Sequence, residues 1–254
     1  MRYATLAERK EFYTKEFKIG SLANWFGDKM DRTKFALIMG KHTNIFLDKY
    51  KKDISTTIII DQYNGLTDIR KQIIDFLPEA VYYDRNRYDE TGQKIGQELA
   101  FDLDPENINC PIHGTLEDKI KRGQGLSFCK IELEMVRKKT NKLYKYLEGT
   151  FSAMRIVYSG RGFHLHVLDE CSYGLNTKQR LKLAREVKHA GFPIDEWVTS
   201  GEHRLIRLPY SLNGLVSRIV LPLEKREIER FNAIYDHRCI PKFLDKSSFN
   251  GRSV

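Results

Sequence analysis

Long apolar runs and closely spaced cysteines are both missing from this sequence. No stretch approaches the roughly 18 apolar residues that a membrane helix needs, and residues 1–4 lack the apolar core of a secretory signal. The four cysteines, Cys110, Cys129, Cys171 and Cys239, lie far apart, which disfavours a disulfide scaffold and leaves metal ligation or plain burial. We therefore expect an intracellular, cytoplasmic protein with no membrane partner.

Internal repeats and low-complexity segments are also missing. A chain of 254 residues with 41% hydrophobic content can bury a substantial core, and its length favours one elaborated domain or two closely packed lobes. What the sequence has in excess is positive charge, because 43 Lys and Arg stand against 34 Asp and Glu and leave a formal net charge of +9. This excess suits a polyanionic partner such as DNA, RNA or a nucleoside triphosphate, although many basic proteins have none.

Helical and strand patterns alternate along the chain and predict a mixed α/β (α+β) protein. Helical periodicity occurs in residues 5–26 (interrupted at Gly20), 67–76, 128–147, 177–190 and 224–235. Strand patterns occur in residues 42–47, 56–60, 80–83, 98–104, 155–159, 163–168, 203–208 and 218–221. A hairpin turning at Asp89 to Gly92 is the simplest link between 80–83 and 98–104. Residues 105–125 lack periodicity and predict an inserted loop or small subdomain.

The helix predicted over residues 128–147 is amphipathic. Its expected core-facing residues are Phe128, Ile131, Met135, Leu143, Tyr146 and Leu147. Its outer face carries Lys138, Lys139, Lys142 and Lys145. These lysines are one candidate surface for binding a nucleic-acid backbone, and a solvated helix face is the alternative.

An apolar strand ending in two carboxylates is the sharpest local feature. Asp102 and Asp104 are two residues apart, so their side chains project from one face of a strand while Phe101 and Leu103 face the core. Carboxylates held this close repel each other unless a hard cation joins them, and Mg²⁺ or Mn²⁺ takes such oxygen ligands. The pair is therefore a candidate metal site, and solvated acids at a strand end are the other interpretation.

A second feature is a turn flanked by glycines between two predicted strands. Gly160 and Gly162 allow backbone amides to approach a ligand closely. Ser159, Arg161 and His164 add a hydroxyl, a fixed cation and a titratable donor, a set that can grip a triphosphate. The alternative is an ordinary hairpin with an exposed arginine and a structural histidine.

A third carboxylate, Asp195, precedes the predicted strand 203–208. Alternation along that strand puts His203, Leu205 and Arg207 on one face. Arg207 could therefore reach the same concavity as the aspartates. The alternative is a half-buried strand with surface arginines.

Together these blocks resemble the three ordered motifs of the archaeo-eukaryotic primase catalytic subunit. The resemblance rests on the segments 101–104 and 159–164 and on Asp195 with the downstream segments 198–199 and 203–212. It extends from about Tyr82 to Leu223. It implies a two-lobed primase fold over residues 1–240, with an RNA-recognition-like catalytic sheet and an insert at about 105–127 as a possible zinc-binding loop. The sequence of residues 241–254 itself predicts a weakly ordered C-terminal tail.

The resemblance also implies an activity and its ligands. The protein would be a DNA primase of DNA replication, a nucleotidyltransferase that makes short RNA or DNA primers from NTPs or dNTPs. Asp102, Asp104 and Asp195 would hold two Mg²⁺ or Mn²⁺ ions. The residues that would contact the nucleotide are Ser159, Arg161, His164, Arg207 and Asn213. The family often has histidine at the last of these positions, and an amide can still donate a hydrogen bond there.

Partners and a second metal follow from the same resemblance. The expected partners are a single-stranded DNA template in the nucleoid and a primase large subunit or an equivalent domain. Cys110, His113 and Cys129 resemble three of the four ligands of a structural zinc site, whereas Leu126 stands where the fourth, a cysteine, is expected. The fourth ligand would then be Cys171 or another side chain. The alternative is two partly buried thiols and a loop histidine without metal.

Three other functions are compatible with parts of this pattern. A noncatalytic nucleic-acid-binding subunit would have no need of three acids beside a phosphate-binding turn. A metal-dependent nuclease also uses clustered carboxylates but does not require a triphosphate cradle. A primase-polymerase of a mobile element or a repair pathway would share all three motifs.

Overall fold

The computed structural model describes residues 1–50, 56–124 and 127–247. Helices and strands alternate along the chain, as a mixed α/β sequence predicts. The helices are α1 (Leu6–Lys15), α2 (Ser21–Phe26), α3 (Gly65–Phe76), α4 (Leu116–Lys121), α5 (Lys130–Leu147), α6 (Glu170–Tyr173), α7 (Thr177–His189), α8 (Glu196–Ser200) and α9 (Lys242–Ser247). The strands are β1 (Phe35–Ile38), β2 (Thr57–Ile60), β3 (Ala80–Asp84), β4 (Asn86–Tyr88), β5 (Lys94–Gln97), β6 (Leu99–Leu103), β7 (Met154–Tyr158), β8 (Phe163–Val167), β9 (Leu205–Arg207), β10 (Leu212–Asn213), β11 (Arg218–Ile219) and β12 (Leu221–Leu223).

The chain divides into two compact units. Unit 1 comprises Met1–Lys94, Leu205–Leu221 and Asn232–Val254, and unit 2 comprises Ile95–Arg204 and Pro222–Phe231. Each unit contains a four-stranded sheet. None of the helices in the described ranges is long and apolar enough to cross a membrane.

The sheet of unit 1 has the strand order β2-β1-β3-β9, with all neighbours antiparallel. Aromatic side chains form much of its core, and the ring of Phe26 makes edge contacts with Phe35 and Tyr83 at centroid distances of 5.9 and 5.0 Å. Helix α3 presents Ile69 and Ile73 to the interior, as its periodicity predicts. The helix ends at Phe76, its C-cap residue Leu77 has a left-handed backbone, and the proline that follows prevents continuation.

The sheet of unit 2 has the strand order β12-β7-β8-β6, and β8 runs antiparallel to both β7 and β6. One face is apolar, since Phe101, Leu103, Phe163 and Leu165 are all fully buried. Apart from the short helices α4 and α6, the elements β6, α5, β7, β8 and α7 have the strand–helix–strand–strand–helix order of an RNA-recognition-like unit. The mixed α/β class predicted from the sequence is confirmed.

Helix α5 begins at Lys130, two residues after the predicted start, and ends at Leu147 as predicted, but its buried face is rotated from the predicted one. Leu133, Val136 and Leu143 are buried, whereas Ile131 and Tyr146 are 40% and 52% exposed. The prediction that Ile131 and Tyr146 face the core is therefore wrong. The buried face also includes Glu132 and Thr140, two polar residues that the periodicity of apolar residues assigns to the surface.

Residues 42–47 do not form the predicted strand. Their backbone groups bond to buried charged side chains instead: the amide of Thr43 donates to Glu79 Oε2 (3.1 Å) and the carbonyl of Ile45 accepts from Arg9 (3.0 Å). Asn44 also has a positive φ of 55°, which a strand does not allow. The strand in this part of the chain is β1, which the sequence pattern did not predict.

The predicted hairpin between 80–83 and 98–104 is also wrong. Strand β3 pairs with β1 and β9, whereas β6 pairs with β8 in the other sheet. The turn at Asp89 joins the short strands β4 and β5 instead, and the Asp89 carboxylate accepts hydrogen bonds from the amides of Thr91 and Gln93 at 2.9 Å each. A local pattern shows where a chain reverses, but it does not show which long strands are partners.

The final predicted helix, residues 224–235, is a series of turns. Arg137 of α5 donates to the carbonyls of Ile228 and, at 2.7 Å, Glu229, which are among the groups that a continued helix would use as acceptors. Ile228 is fully buried. At the C-terminus, α9 is folded with Phe243 4% exposed, so the beginning of the predicted tail is ordered. Residues 248–254 of that tail lie outside the described residues.

Candidate active site and metal centre

Two of the predicted acids lie at the end of β6, and the third is hydrogen-bonded to it. Asp102 belongs to the strand, and Asp104 continues the extended backbone with φ −113° and ψ 155°. The amide of Asp195 donates to the carbonyl of Asp102 (2.9 Å), and α8, which starts after Asp195, packs against β6. The fold therefore brings together acids from distant parts of the sequence. Their roles stay predictions.

The glycine turn between β7 and β8 lies directly against these acids. A Cβ at Gly162 would overlap both Asp104 Oδ1 and the carbonyl of Leu103, so only glycine fits. Inside the turn, the amide of Gly162 donates to Ser159 Oγ (3.1 Å) and the amide of Ser159 to the carbonyl of Gly162 (3.0 Å). Gly160 has a φ of +99°, which favours glycine. The turn is thus fixed against the strand end.

Arg161 points towards the acids and is largely buried. Its guanidinium forms an ion pair with Glu106, which the sequence analysis did not single out. Burial acts to lower the pKa of Arg161, but Asp104, Glu106 and Asp102 outweigh it, so the pKa is raised above its ordinary value. Arg161 is therefore a permanent cation in a cluster of carboxylates. Glu106 follows Asp104 by two residues, and that spacing is the sequence feature that could have identified it.

His164 is the strand partner of Asp102 in the β6–β8 ladder. Its Nε2 lies 3.6 Å from Asp102 Oδ1, and its ring is 5.8 Å from that of His166. His166 is fully buried, and its Nδ1 lies 2.6 Å from Oε1 of Glu98. Residues 98, 100 and 102 share one face of the chain, so the alternation that places Asp102 on this face also places Glu98 there.

The two remaining predicted nucleotide contacts belong to unit 1. Arg207 lies on β9, where its Nη2 donates to the hydroxyl of Tyr82 (2.9 Å) and its guanidinium lies 4.8 Å from the ring centre of Tyr82. Asn213 is fully buried, and its Oδ1 accepts from the amide of Leu215 (3.2 Å). The structure thus gives Asn213 a role in its own loop. The nucleotide contacts of both residues stay predictions.

A compact group of metal-ligand atoms lies in the insert of unit 2. It consists of Cys110, His113, Cys129 and Glu132, whose ligand atoms all lie within 4.8 Å of one another. Cys110 and Gly114 form a small bridge with two hydrogen bonds of 2.9 and 2.8 Å, which turns the chain so that His113 approaches Cys110. Cys129 is the N-cap of α5.

The distances in this cluster fit a tetrahedral zinc ion. Zn–S bonds of about 2.3 Å and Zn–N bonds of about 2.0–2.1 Å give tetrahedral edges of about 3.8 Å between two sulfurs and about 3.6 Å between sulfur and nitrogen. The Sγ atoms of Cys110 and Cys129 are 3.9 Å apart, and Cys110 Sγ lies 3.4 Å from His113 Nδ1. Burial raises the pKa of the Cys129 thiol, so metal binding there would release a proton.

Glu132 completes the cluster, at the position where the resemblance predicts Cys171 or another side chain. Cys171 is exposed in α6 and is not in the group. Glu132 Oε2 accepts from the amide of Cys129 (2.7 Å), and Oε1 pairs with the buried Lys119 (2.6 Å). Burial acts to raise the pKa of Glu132, but Lys119 and the Cys129 amide lower it further, so it is held below its usual range. Leu126 lies outside the described residues.

The lysines on the outer face of α5 are largely engaged within the chain. Lys138 Nζ lies 3.5 Å from Glu134, Lys139 donates to the carbonyl of Gly191 (2.8 Å), and Lys145 pairs with Glu229 (2.8 Å). These bonds favour the alternative interpretation, in which the lysines serve the fold and its solvation.

Comparisons with known proteins agree with the resemblance of the motifs. No protein-family model matches the chain. An Archaeoglobus fulgidus protein named as an uncharacterized DNA primase small subunit-like protein is 46% identical over 261 residues, covering 96% of this chain and 92% of the relative. The DNA primase small subunit PriS of Pyrobaculum arsenaticum is 28% identical over 218 residues (66% of this chain, 67% of the relative). PriS of Pyrococcus horikoshii is 26% identical over 186 residues (72% and 49%).

Among solved structures, the chain is similar to the polymerase domain of Mycobacterium tuberculosis ligase D, determined in complex with DNA. The TM-score is 0.54 at 15% sequence identity, and the match covers 97% of this chain and 90% of that domain. A likeness at this identity shows a shared fold.

Proposed function

This chain belongs to the archaeal DNA primase small-subunit family, and we propose that it synthesises short primers from NTPs or dNTPs on a single-stranded DNA template. The observation that carries the proposal is the position of Asp102, Asp104 and the cationic turn at the end of β6, supported by the close fit of Gly162 on Asp104 and by the backbone bond from Asp195 to Asp102. A primase large subunit as partner stays a prediction.

The proposed reaction is a nucleotidyl transfer. The 3′-hydroxyl oxygen of the primer attacks the α-phosphorus of the incoming nucleotide, the bond from that phosphorus to the bridging oxygen of the β-phosphate breaks, and pyrophosphate leaves. The hydroxyl proton passes to water. Two divalent ions, when bound, supply a lowered pKa for the hydroxyl and neutralise charge on the phosphates.

The acids at the end of β6 are the residues that would hold these ions. Asp102, Asp104 and Asp195 offer only oxygen donors, the ligands that Mg²⁺ and Mn²⁺ prefer. The tight contact between Asp104 and Gly162 supports this assignment, because it keeps the phosphate-binding turn directly beside the carboxylates. Such proximity is what a metal-bridged triphosphate requires.

Arg161 and His164 would contact the phosphates. Arg161 is already desolvated and charged, so it needs little reorganisation when negative charge grows on the leaving pyrophosphate. His164, held in the ladder opposite Asp102, would donate its ring N–H to a phosphate oxygen. Removing one such electrostatic contact costs about 3–4 kcal/mol, or roughly 10²–10³ in kcat.

The deciding experiment is a dinucleotide-synthesis assay with Mn²⁺ and a polypyrimidine template. We expect the double substitution Asp102→Ala, Asp104→Ala to abolish synthesis while the circular dichroism spectrum and melting curve remain native. Glu117→Ala, which removes an exposed acid on α4, is the matched control and should retain activity. Full activity in the double variant would overturn the assignment.

The same assay separates the rival functions. A noncatalytic nucleic-acid-binding subunit would bind the template but incorporate no nucleotide. A nuclease would shorten the template and would not hold an intact NTP. Stable NTP binding together with template-dependent incorporation is therefore the result that we expect.

We further propose that Zn²⁺ binds to Cys110, His113 and Cys129, with Glu132 as the fourth ligand. The proposal is supported by the tetrahedral distances and by the burial of Glu132 beside the sulfurs. The ion would be structural, since protein groups would fill all four positions. It would join the insert to the first turn of α5.

A further inference from the structure

Helix α8 carries an exposed tryptophan beside a predicted metal ligand. Trp197 is 57% exposed, although large aromatic side chains are usually mostly buried. Its ring packs on that of His203, also exposed, with the centroids 6.2 Å apart and the planes inclined by 31°. The two rings form a small aromatic surface on unit 2, which we call the Trp197–His203 platform.

Hydrogen bonds fix the backbone that carries the platform. The amide of Trp197 donates to Asp195 Oδ1 (2.8 Å), and the amide of His203 donates to the carbonyl of Trp197 (3.0 Å). Gly201 ends α8 with a φ of +90°, and its carbonyl accepts from Gln97 (3.1 Å). A ligand that stacks on these rings therefore meets a preformed surface and loses little entropy in ordering it.

The surroundings of the platform favour a polyanion as the ligand. Helix α7 packs against α8, and its exposed charged residues are Lys178, Lys182, Arg185, Glu186 and Lys188, four cations against one acid. Two of these cations form ion pairs, Lys188 with Glu196 of α8 (2.7 Å) and Lys182 with Glu186 of α7 (3.8 Å). A docking site for an apolar protein segment would need a larger apolar patch, whereas the neighbours of Trp197 in the chain include charged Glu196, Glu202 and Arg204.

Exposed aromatic rings on a basic surface are the means by which proteins bind single strands without reading sequence. Every base has a π-face that can stack on an indole, and the phosphates contact the cations. A duplex cannot use such a platform because its bases are already stacked. A DNA primase accepts many template sequences, and stacking suits that requirement.

We propose that the Trp197–His203 platform stacks an unpaired base of single-stranded nucleic acid and so guides the strand past Asp195. The identification of that strand as the template rests on the proposed function, whereas the stacking itself does not. The Trp197 amide donates to the Asp195 carboxylate, so the platform belongs to the same short helix that begins after the acid proposed to hold a catalytic ion.

The two tryptophans of the chain make a direct test feasible. In a Trp25→Phe background, whose native fold is first checked by its melting curve, Trp197 is the sole indole fluorophore. We expect an unlabelled oligo(dT) to quench its emission in buffer without added Mg²⁺, Mn²⁺ or nucleotide. The quenching should saturate with the Kd measured independently by anisotropy of a labelled oligo(dT).

Substitutions in the otherwise native chain then measure the contribution of stacking. Trp197→Ala should weaken oligo(dT) binding by about 5- to 100-fold, the range for loss of one stacked base, and Trp197→Phe should retain most of the affinity. Tyr235→Ala, which removes an aromatic ring that is 70% exposed elsewhere, is the matched control and should leave Kd unchanged. Binding of a duplex of equal length should not respond to Trp197→Ala.

Several outcomes would overturn the proposal. Among them are unchanged oligo(dT) affinity in Trp197→Ala and quenching by NTP alone but not by oligo(dT). Self-association that depends on Trp197, with no effect on oligo(dT), would instead identify a protein interface. The Asp102→Ala, Asp104→Ala variant separates this test from the proposed function: it should still show quenching. If the native chain synthesised no primers, the proposed function would fail while quenching could remain.

Discussion

The ion pair between Arg161 and Glu106 affects how strongly the proposed nucleotide site can bind a triphosphate. In the structure the Arg161 guanidinium is paired with Glu106. A triphosphate that binds Arg161 must compete with this carboxylate or repel it. Glu106 therefore opposes nucleotide binding, unless its position over Arg161 is needed to aim the guanidinium.

Replacing Glu106 with glutamine tests which effect dominates. We expect Glu106→Gln to tighten binding of a nonhydrolysable NTP on the order of 5-fold, corresponding to about 1 kcal/mol for a partly exposed ion pair. Isothermal titration calorimetry measures the change. Glu117→Gln removes the same charge from an exposed position of the insert and should have no such effect. Weaker binding in Glu106→Gln would mean that the carboxylate aims Arg161 or binds an ion.

Helix α1 shows how one capped helix makes stability depend on pH. The amide of Thr5 donates to the Glu8 carboxylate (2.8 Å) and the amide of Glu8 donates to Thr5 Oγ1 (3.3 Å). The pKa of Glu8 is lowered from 4.5 to about 2, mainly by its hydrogen bond with Arg2. Because folding lowers this pKa, the Glu8 carboxylate stabilises the folded state fully above about pH 4.5, and this stabilisation is lost as the pH falls towards about 2.

We expect Glu8→Gln to lower the free energy of unfolding at pH 6 and to reduce its dependence on pH between about 4.5 and 2. Urea unfolding at several pH values measures both effects. Glu90→Gln, a change at an exposed turn residue, provides the comparison. An equal pH dependence in Glu8→Gln and the native chain would show that other carboxylates dominate acid denaturation.

The metal cluster of the insert allows a prediction of the zinc content and thermal stability of the protein. We expect the purified protein to contain about one Zn²⁺ per chain, and Cys110→Ser to lose it. A loss of about 3 kcal/mol in stability would lower Tm by about 6–12 °C. Cys171→Ser is the matched control, since Cys171 is exposed and outside the cluster. Stoichiometric zinc in Cys110→Ser would contradict the ligand assignment.

Elements whose stability is local could be predicted from sequence, and those that depend on distant charges could not. Helices α3 and α7 have regular apolar spacing and clear ends, and both match the prediction closely. Residues 42–47 and 224–235 have suitable local patterns, but Glu79, Arg9 and Arg137 bond their backbone groups in other ways. Nothing in a local window reports such a partner.

In the candidate site, too, features set by the local sequence could be predicted, and features set by distant partners could not. Alternation predicted that Asp102 and Asp104 project from one face of a strand, because this follows from strand geometry alone. The approach of the 159–164 turn to them depends on the pairing of β6 with β8, which no local pattern reports. Glu132 was missed because its inward position depends on pairing with Lys119 from another helix. A polar residue in a helix is expected at the surface unless its buried partner is known.

At the scale of the whole molecule, the net charge of +9 favours nonspecific attraction of nucleic acid. Only the arrangement of individual cations can determine the surface along which a strand binds. Two helices offer comparable sets of lysine and arginine. On the outer face of α5, the exposed lysines Lys138 and Lys145 have carboxylate partners. On α7, Lys182 and Lys188 also have carboxylate partners, Glu186 and Glu196, but this helix packs against α8, which carries Trp197.

We expect the salt dependence of single-stranded DNA binding to distinguish the two helices. The triple variants Lys178→Gln, Lys182→Gln, Arg185→Gln on α7 and Lys138→Gln, Lys142→Gln, Lys145→Gln on α5 remove the same charge, so general attraction weakens equally in both. Removing one phosphate-binding cation should reduce the slope of log K against log salt by about 0.7. The α7 variant should therefore have the shallower slope. Equal slopes would mean that net charge, and not a path along α7, determines binding.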